Sequence, residues 1–197
     1  NKCFYMPNPC DKSLDYLKNF NEVQDFDIFY AISHGVHRGI LRPGKKDERE
    51  IFIDKLKRKC SNISFDTYGM FGIQPIWGYE FLKRLSNSRM ALNLSRGRPI
   101  KYYSSDRIAQ LMGNGLLTFI HSDTQYQDFF DDNEMIFYKD ISDLTEKIKR
   151  YTKNDKEWRI IANKGHTKYH KYFNSSLVAK FIIERTFGIK SKYRWDI

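Results

Sequence analysis

Residues 104–122, SSDRIAQLMGNGLLTFIHS, set three small polar residues before a helical pattern, a Gly-Asn-Gly turn behind it, and then an uninterrupted apolar run. The polar trio predicts a helix start, because Ser and Asp side chains accept hydrogen bonds from the unpaired amides of a first turn. The glycines mark the turn. LLTFIHS has no polar alternation, so it reads as a strand covered on both faces.

The same alternation runs along the chain from Asp27. DIFYAIS, NISFDTY, RMALNLS, LLTFIHS and EMIFYKD are the β-rich runs, and REIFIDKLKRK, GYEFLKRLSN, SDRIAQLMG and TQYQDFF are helical connectors. The end divides into three further helices, SDLTEKIKRYTK, DKEWRIIANKGHTKYHKYF and NSSLVAKFIIERTFG, each opened by Ser, Asp or Asn. The expected fold is α/β: a Rossmann-like, doubly wound parallel sheet with helices on both faces and a helix-rich C-terminus. YMPNPCD (residues 5–11) reads as a Pro-punctuated linker with a helix start behind it. The expected division is 1–24 as linker and first helix, 25–175 as the binding domain, and 176–197 as a C-terminal helix and tail. The linker-like start and the absence of an initiator Met read as a fragment of a longer protein.

The chain has 197 residues, 41% of them hydrophobic, which suits one well-cored domain. No run approaches the ~18 apolar residues of a membrane span. Three cysteines, Cys3, Cys10 and Cys60, fit neither a disulfide framework nor a zinc site, so a reducing, cytoplasmic setting is expected. The net charge of +10 favours phosphate in some form: nucleic acid, anionic headgroups or a phosphorylated small molecule. KRKC, KIKRYTK and KGHTKYHKY lie on predicted helices, where basic residues form solvated faces.

In open α/β sheets, ligands sit at the carboxyl ends of the strands. The loop after RMALNLS carries Arg96, Arg98 and Lys101 and leads into Ser104-Ser105-Asp106-Arg107, whose small side chains let an anion approach free amides. A second loop on that edge, SHGVHRGILRPGKK (residues 33–46), contributes Gly35, Arg38 and Arg42. Asp25-Phe26-Asp27 imitates a metal-binding Asp-x-Asp but precedes a strand and so belongs to the opposite edge. No metal site is expected. His34 and His37 have no Ser, Cys or paired carboxylate at a recognisable spacing, and no catalytic residue is assigned.

The segment from Ser88 to Tyr151 resembles the carboxyl-terminal half of group 1 glycosyltransferases of the two-domain GT-B fold, nearest their spore-maturation-type branch. Asn93, Ser95, Arg107, Gly115, Phe129-Phe130 and Phe137-Tyr138 occupy the places of that branch's ordered motifs, and IIANKGHTKYHKYFNSSLVAKFI resembles its closing helices. The resemblance implies a hexosyltransferase of polysaccharide biosynthesis that uses a nucleotide diphosphate sugar as donor substrate and no separate cofactor. The diphosphate would meet Gly35, Arg38, Arg42, Ser104, Ser105, Asp106 and Arg107. The ribose would meet Gln110, and the base Gly69, Phe71 and Trp77. A saccharide, lipid or protein acceptor would sit on a missing N-terminal domain, so this fragment alone is expected to be inactive. No nucleic-acid partner is expected, since the aromatics fall at core spacings. The basic charge allows peripheral contact with an anionic membrane from the cytoplasmic side. One departure stands out: the family's usual Glu, which accepts from ribose hydroxyls, is Gln110 here. With the lack of an assignable base, it suggests a catalytically silent nucleotide- or sugar-binding module as an alternative; a sugar-nucleotide epimerase, which shares the two-domain architecture, is a further one.

Overall fold

The computed structural model describes residues 3–33 and 47–196. Strands β1 (Phe26–Ala31), β2 (Phe65–Tyr68), β3 (Ser88–Asn93), β4 (Leu117–His121) and β5 (Ile136–Tyr138) form one sheet in the order β2-β1-β3-β4-β5. Every pairing is parallel, in a register that sets Ile28 beside Met90, Met90 beside Leu117, and Phe119 beside Ile136.

Because side chains alternate along a strand, each apolar run supplies both faces. Ile28, Tyr30, Met90, Leu92, Leu117, Phe119, Ile136 and Tyr138 face one layer, where α1 (Glu48–Lys59) and α4 (Ile141–Lys153) bring Ile53, Leu56, Leu144 and Ile148. Phe29, Ala31 and Ala91 face the other, against Leu85 of α2 (Gly78–Leu85) and Leu111 of α3 (Arg107–Gly113). The last two helices, α5 (Asp155–Tyr172) and α6 (Ser175–Thr186), close the β4-β5 end, with Tyr169, Phe173, Val178 and Phe181 gathered around Trp195. Asp140, Asn154 and Asn174 cap α4, α5 and α6 through their side chains. Gly165 lets α5 lie against the turn before β5, because a Cβ there would stand 2.1 Å from the Glu134 carbonyl oxygen.

Two sequence expectations are corrected. The helix expected within residues 1–24 is absent among the described residues, which hold a single 3-10 turn, Asn19–Asn21, and are otherwise extended or in turns. This segment is a strap tied to distant backbone: Cys10 exchanges hydrogen bonds with Phe173 and Ser175, the Asn114 side chain joins Leu17 to Asp15, and Asn19 Nδ2 donates to Leu85 and Ser88. Its polar side chains bond locally or across the fold, which competes with helix formation. The connector TQYQDFF is two 3-10 turns, Ser122–Thr124 and Tyr126–Asp128, separated by Gln125 at φ 54. Its aromatics, Tyr126, Phe129 and Phe130, pack in several directions around the strap and α5, which one helical face would not allow.

Candidate functional site

The chain leaves β1 through α1 toward one edge of the sheet and leaves β3 through α3 toward the other. The crossovers therefore diverge between the carboxyl ends of β1 and β3, the place where open α/β sheets keep a ligand crevice. Arg107, only 9% exposed, lies across that point. Its Nε donates to the Ala31 carbonyl at 3.0 Å and its Nη1 to the Leu94 carbonyl at 3.3 Å, so one guanidinium bridges the ends of the two strands. Its central carbon stands 5.0 Å from the Tyr30 ring centre, and the Tyr30 hydroxyl donates to the same Leu94 carbonyl at 2.9 Å. Of the five guanidinium N–H groups, those on Nη2 meet no acceptor among the described residues.

Arg107 forms part of the wall of a cleft of about 350 Å³ on the α2-α3 side, together with Asp15, Ser33, Trp77, Asp106 and Gln110. Trp77 is 56% exposed at the start of α2. Gln110 follows Arg107 by one helical turn and is also exposed, so both reach the same opening. Asp106 caps α3 by accepting from the Arg107 amide, and its side chain faces outward. Asp15 comes from the strap. Burial raises its carboxyl above the usual range, against the bonds it accepts from the Asp11 amide and Asn114. The cleft thus holds a fixed cation, an amide, an indole and two carboxyl groups.

Arg107, Asp106, Gln110 and Trp77 are brought together. Ser104 is buried, and its hydroxyl accepts from Tyr126 at 2.9 Å, away from the cleft. The Ser105 hydroxyl donates to Asn93 Oδ1 at 3.0 Å. Phe71 does not line the cleft; it lies beneath Lys57, whose Nζ is 4.6 Å from the ring centre. Gly69 has a steric role, since at φ +75 an added Cβ would lie 1.9 Å from the Ile32 carbonyl oxygen. Gly35, Arg38 and Arg42 lie outside the described residues, as do His34 and His37. Sequence reading missed Asp15, more than ninety positions from Arg107, and the Tyr30 ring beneath the guanidinium. Neither carries a local signal, because only the fold makes them neighbours.

Asp27 sits at the amino end of β1, where its carboxylate accepts from Ser64. Among the described residues, no group of His, Cys, Asp and Glu could hold a metal ion, and no helix is long and apolar enough to cross a membrane. Burial, followed by the charge of Asp15, pushes the Cys10 thiol up to about 12.

A family described as "Glycosyl transferase-like" matches residues 45–184, well over half the chain. The chain belongs to that family. Its fold recurs in solved structures. The crystal structure of TarM is 14% identical with a TM-score of 0.59; sucrose-phosphate synthase (tll1590) from Thermosynechococcus elongatus is 13% identical at 0.56. An alpha-glucosyltransferase in complex with UDP and a 13-mer DNA containing a central A:G mismatch is 12% identical at 0.61. Each alignment covers 92% of this chain but only 37%, 51% and 60% of the respective neighbour, so this chain spans less than two thirds of their length. No curated protein matches.

Proposed function

We propose that this glycosyl transferase-like chain is a donor-binding unit, holding the nucleoside diphosphate of a nucleotide sugar in the cleft beside Arg107. The observation that carries the reading is the guanidinium fixed between Ala31 and Leu94 with donors to spare among the described residues. Two backbone carbonyls and the Tyr30 ring hold the cation before any ligand arrives, so little side-chain freedom is lost on binding. A cation so placed offsets the charge that builds on a departing nucleoside diphosphate, which is electrostatic stabilisation of a transition state.

Gln110 and Asp106 suit ribose hydroxyls, and Trp77 offers a face for the base. Ser104 and Phe71 are left out of this assignment because of their positions. The acceptor, whether saccharide, lipid or protein, and the machinery that completes transfer belong to a further domain in the two-domain GT-B arrangement. The spore-maturation-type branch, the hexosyl donor, a place in polysaccharide biosynthesis and contact with an anionic membrane from the cytoplasmic side remain parts of the same proposal. Calorimetric titration with UDP, GDP and ADP and their sugar conjugates tests it. Binding of at least one series, lost in Arg107→Ala, is expected; no binding by any series overturns it.

A further inference from the structure

The helix α6 has two apolar sides. Val178 and Phe181 pack around Trp195, whereas Ala179, Ile182, Ile183 and Phe187 recur at i, i+3, i+4 and i+8 along a different side. That second row is open. Ile182, Ile183 and, just beyond the helix, Ile189 are half exposed, and Phe187 is 76% exposed. Single exposed apolar residues need no explanation, but a row at helical spacing does, because a helix apolar on two sides is normally covered on both. We infer that this outer face of α6 docks onto a bilayer rich in anionic lipid. Its apolar row enters the boundary between headgroups and acyl chains, and the cations beside it meet lipid phosphates. The inference deepens the membrane contact proposed above and rests on it for the partner, independently of the donor cleft.

Charge selects the occupant. Residues 161–197 hold eight Lys and Arg against two acidic residues, more than half of the chain's net charge of +10. Both acids are engaged: Glu184 accepts from the Tyr193 hydroxyl and stands 3.7 Å from Lys180, and Asp196 pairs with Arg185 at 2.8 Å. Lys180, exposed on α6, borders the row, and Lys190, Lys192 and Arg194 are exposed on the tail that follows it. This tail is fixed to the helix. Arg185 donates to the carbonyls of Ile189 and Ser191, and the Tyr193 ring packs 5.1 Å from that of Phe181. Arg194 in turn meets Lys164, Lys168 and Lys171 of α5 around a shallow recess, which carries the basic rim onto the neighbouring helix.

An apolar row bordered by fixed cations is the pattern of an interfacial helix, whose Lys and Arg stems lie along the apolar surface while their heads reach phosphate. Among the described residues no helix is long and apolar enough to cross a membrane, so α6 lies on the surface rather than through it. A second copy of this chain fits less well, since it would set like charges around the apolar contact. Nucleic acid offers phosphates but no apolar phase for Ile182, Ile183 and Phe187.

Sedimentation with vesicles tests the assignment, using phosphatidylcholine alone or with about 30% phosphatidylglycerol, at low and high salt. Wild type is expected to bind the mixed vesicles, to bind neutral ones weakly, and to be released by salt. Ile183→Gln combined with Phe187→Gln replaces two exposed side chains by one of good helix propensity, and should lower the partition about tenfold or more. Lys190→Glu combined with Lys192→Glu should do the same through charge. In Ile183→Trp the added indole should be quenched by brominated acyl chains beyond the wild-type level. Binding kept by both double variants places the membrane contact elsewhere on the chain and refutes the assignment to α6. Loss in the Lys variant alone means a polyanion strip without insertion and refutes it too. A lipid-free dimer that Ile183→Gln with Phe187→Gln dissociates gives the face to a second copy. No binding to any vesicle overturns this inference and the membrane contact together, while nucleotide titration of the same samples still judges the donor reading.

Discussion

Replacing Arg107 separates stability from binding, because the same guanidinium braces the fold and faces the cleft. Arg107→Ala removes two hydrogen bonds from a charged donor and the contact over Tyr30. Leu94 keeps the bond from the Tyr30 hydroxyl, so the larger loss falls on the Ala31 carbonyl. A buried polar group left without its partner costs about 1–3 kcal/mol, and a partly desolvated cation over an aromatic ring contributes about 1–2 kcal/mol. Relief of the desolvation of the guanidinium itself offsets part of this. The expected destabilisation is therefore about 2–3 kcal/mol, a melting temperature lower by roughly 4–12 °C for a domain of this size. Binding of a nucleoside diphosphate should weaken by a further ~1–3 kcal/mol, the range for charge-assisted hydrogen bonds. Arg107→Lys keeps the charge without the planar fork, so it should lose most of the bracing and recover part of the binding. Calorimetry on both variants below their melting temperatures, beside thermal unfolding, reads the two effects. If a folded Arg107→Ala binds as wild type does, the cation serves the fold alone and the phosphate site lies elsewhere.

Gln110→Glu should tighten nucleoside diphosphate binding by about 1 kcal/mol if Gln110 meets the ribose, whereas Asp106→Asn should weaken it if Asp106 supplies the carboxylate; an unchanged affinity in both removes the ribose from this helix. Gly165→Ala should destabilise by about 2 kcal/mol or more in chemical denaturation: the gain of up to ~1 kcal/mol in helix propensity is outweighed by a Cβ placed 2.1 Å from the Glu134 carbonyl oxygen. A stabilised variant would mean that α5 can move off the turn freely. Burial, then the neighbouring His170 ring, holds His166 down at about 4, below its ordinary 6.5. The unfolded chain therefore binds more protons between these values; His166 destabilises nothing above pH 6.5 and favours unfolding progressively as pH falls from 6.5 to about 4. Discounted for partial exposure, the effect is about 1–2 kcal/mol, and His166→Gln should flatten the stability profile in that window.

The alternating runs of the sequence determined the parallel sheet and its two helical layers. A strand such as LLTFIHS has no polar face to leave in water, and a segment such as SDLTEKIKRYTK has one apolar stripe. Arg107 and Gln110 were legible for a related reason: a helix start following a strand must lie at the carboxyl edge, and a spacing of three puts both side chains on one side. Tertiary structure alone decided the rest. Ser104 and Ser105 look alike beside Asp106 in the sequence, yet one hydroxyl is taken by Tyr126 and the other by Asn93. Residues 1–24 read as a linker and first helix, but contacts with Asn114, Leu85 and Phe173 drew this segment into a strap that carries Asp15 into the cleft. The order β2-β1-β3-β4-β5, which creates the opening between β1 and β3, depends on which edge each strand joins. Periodicity reports what a segment must bury, a local property; partners distant in sequence are chosen only when the faces pack together.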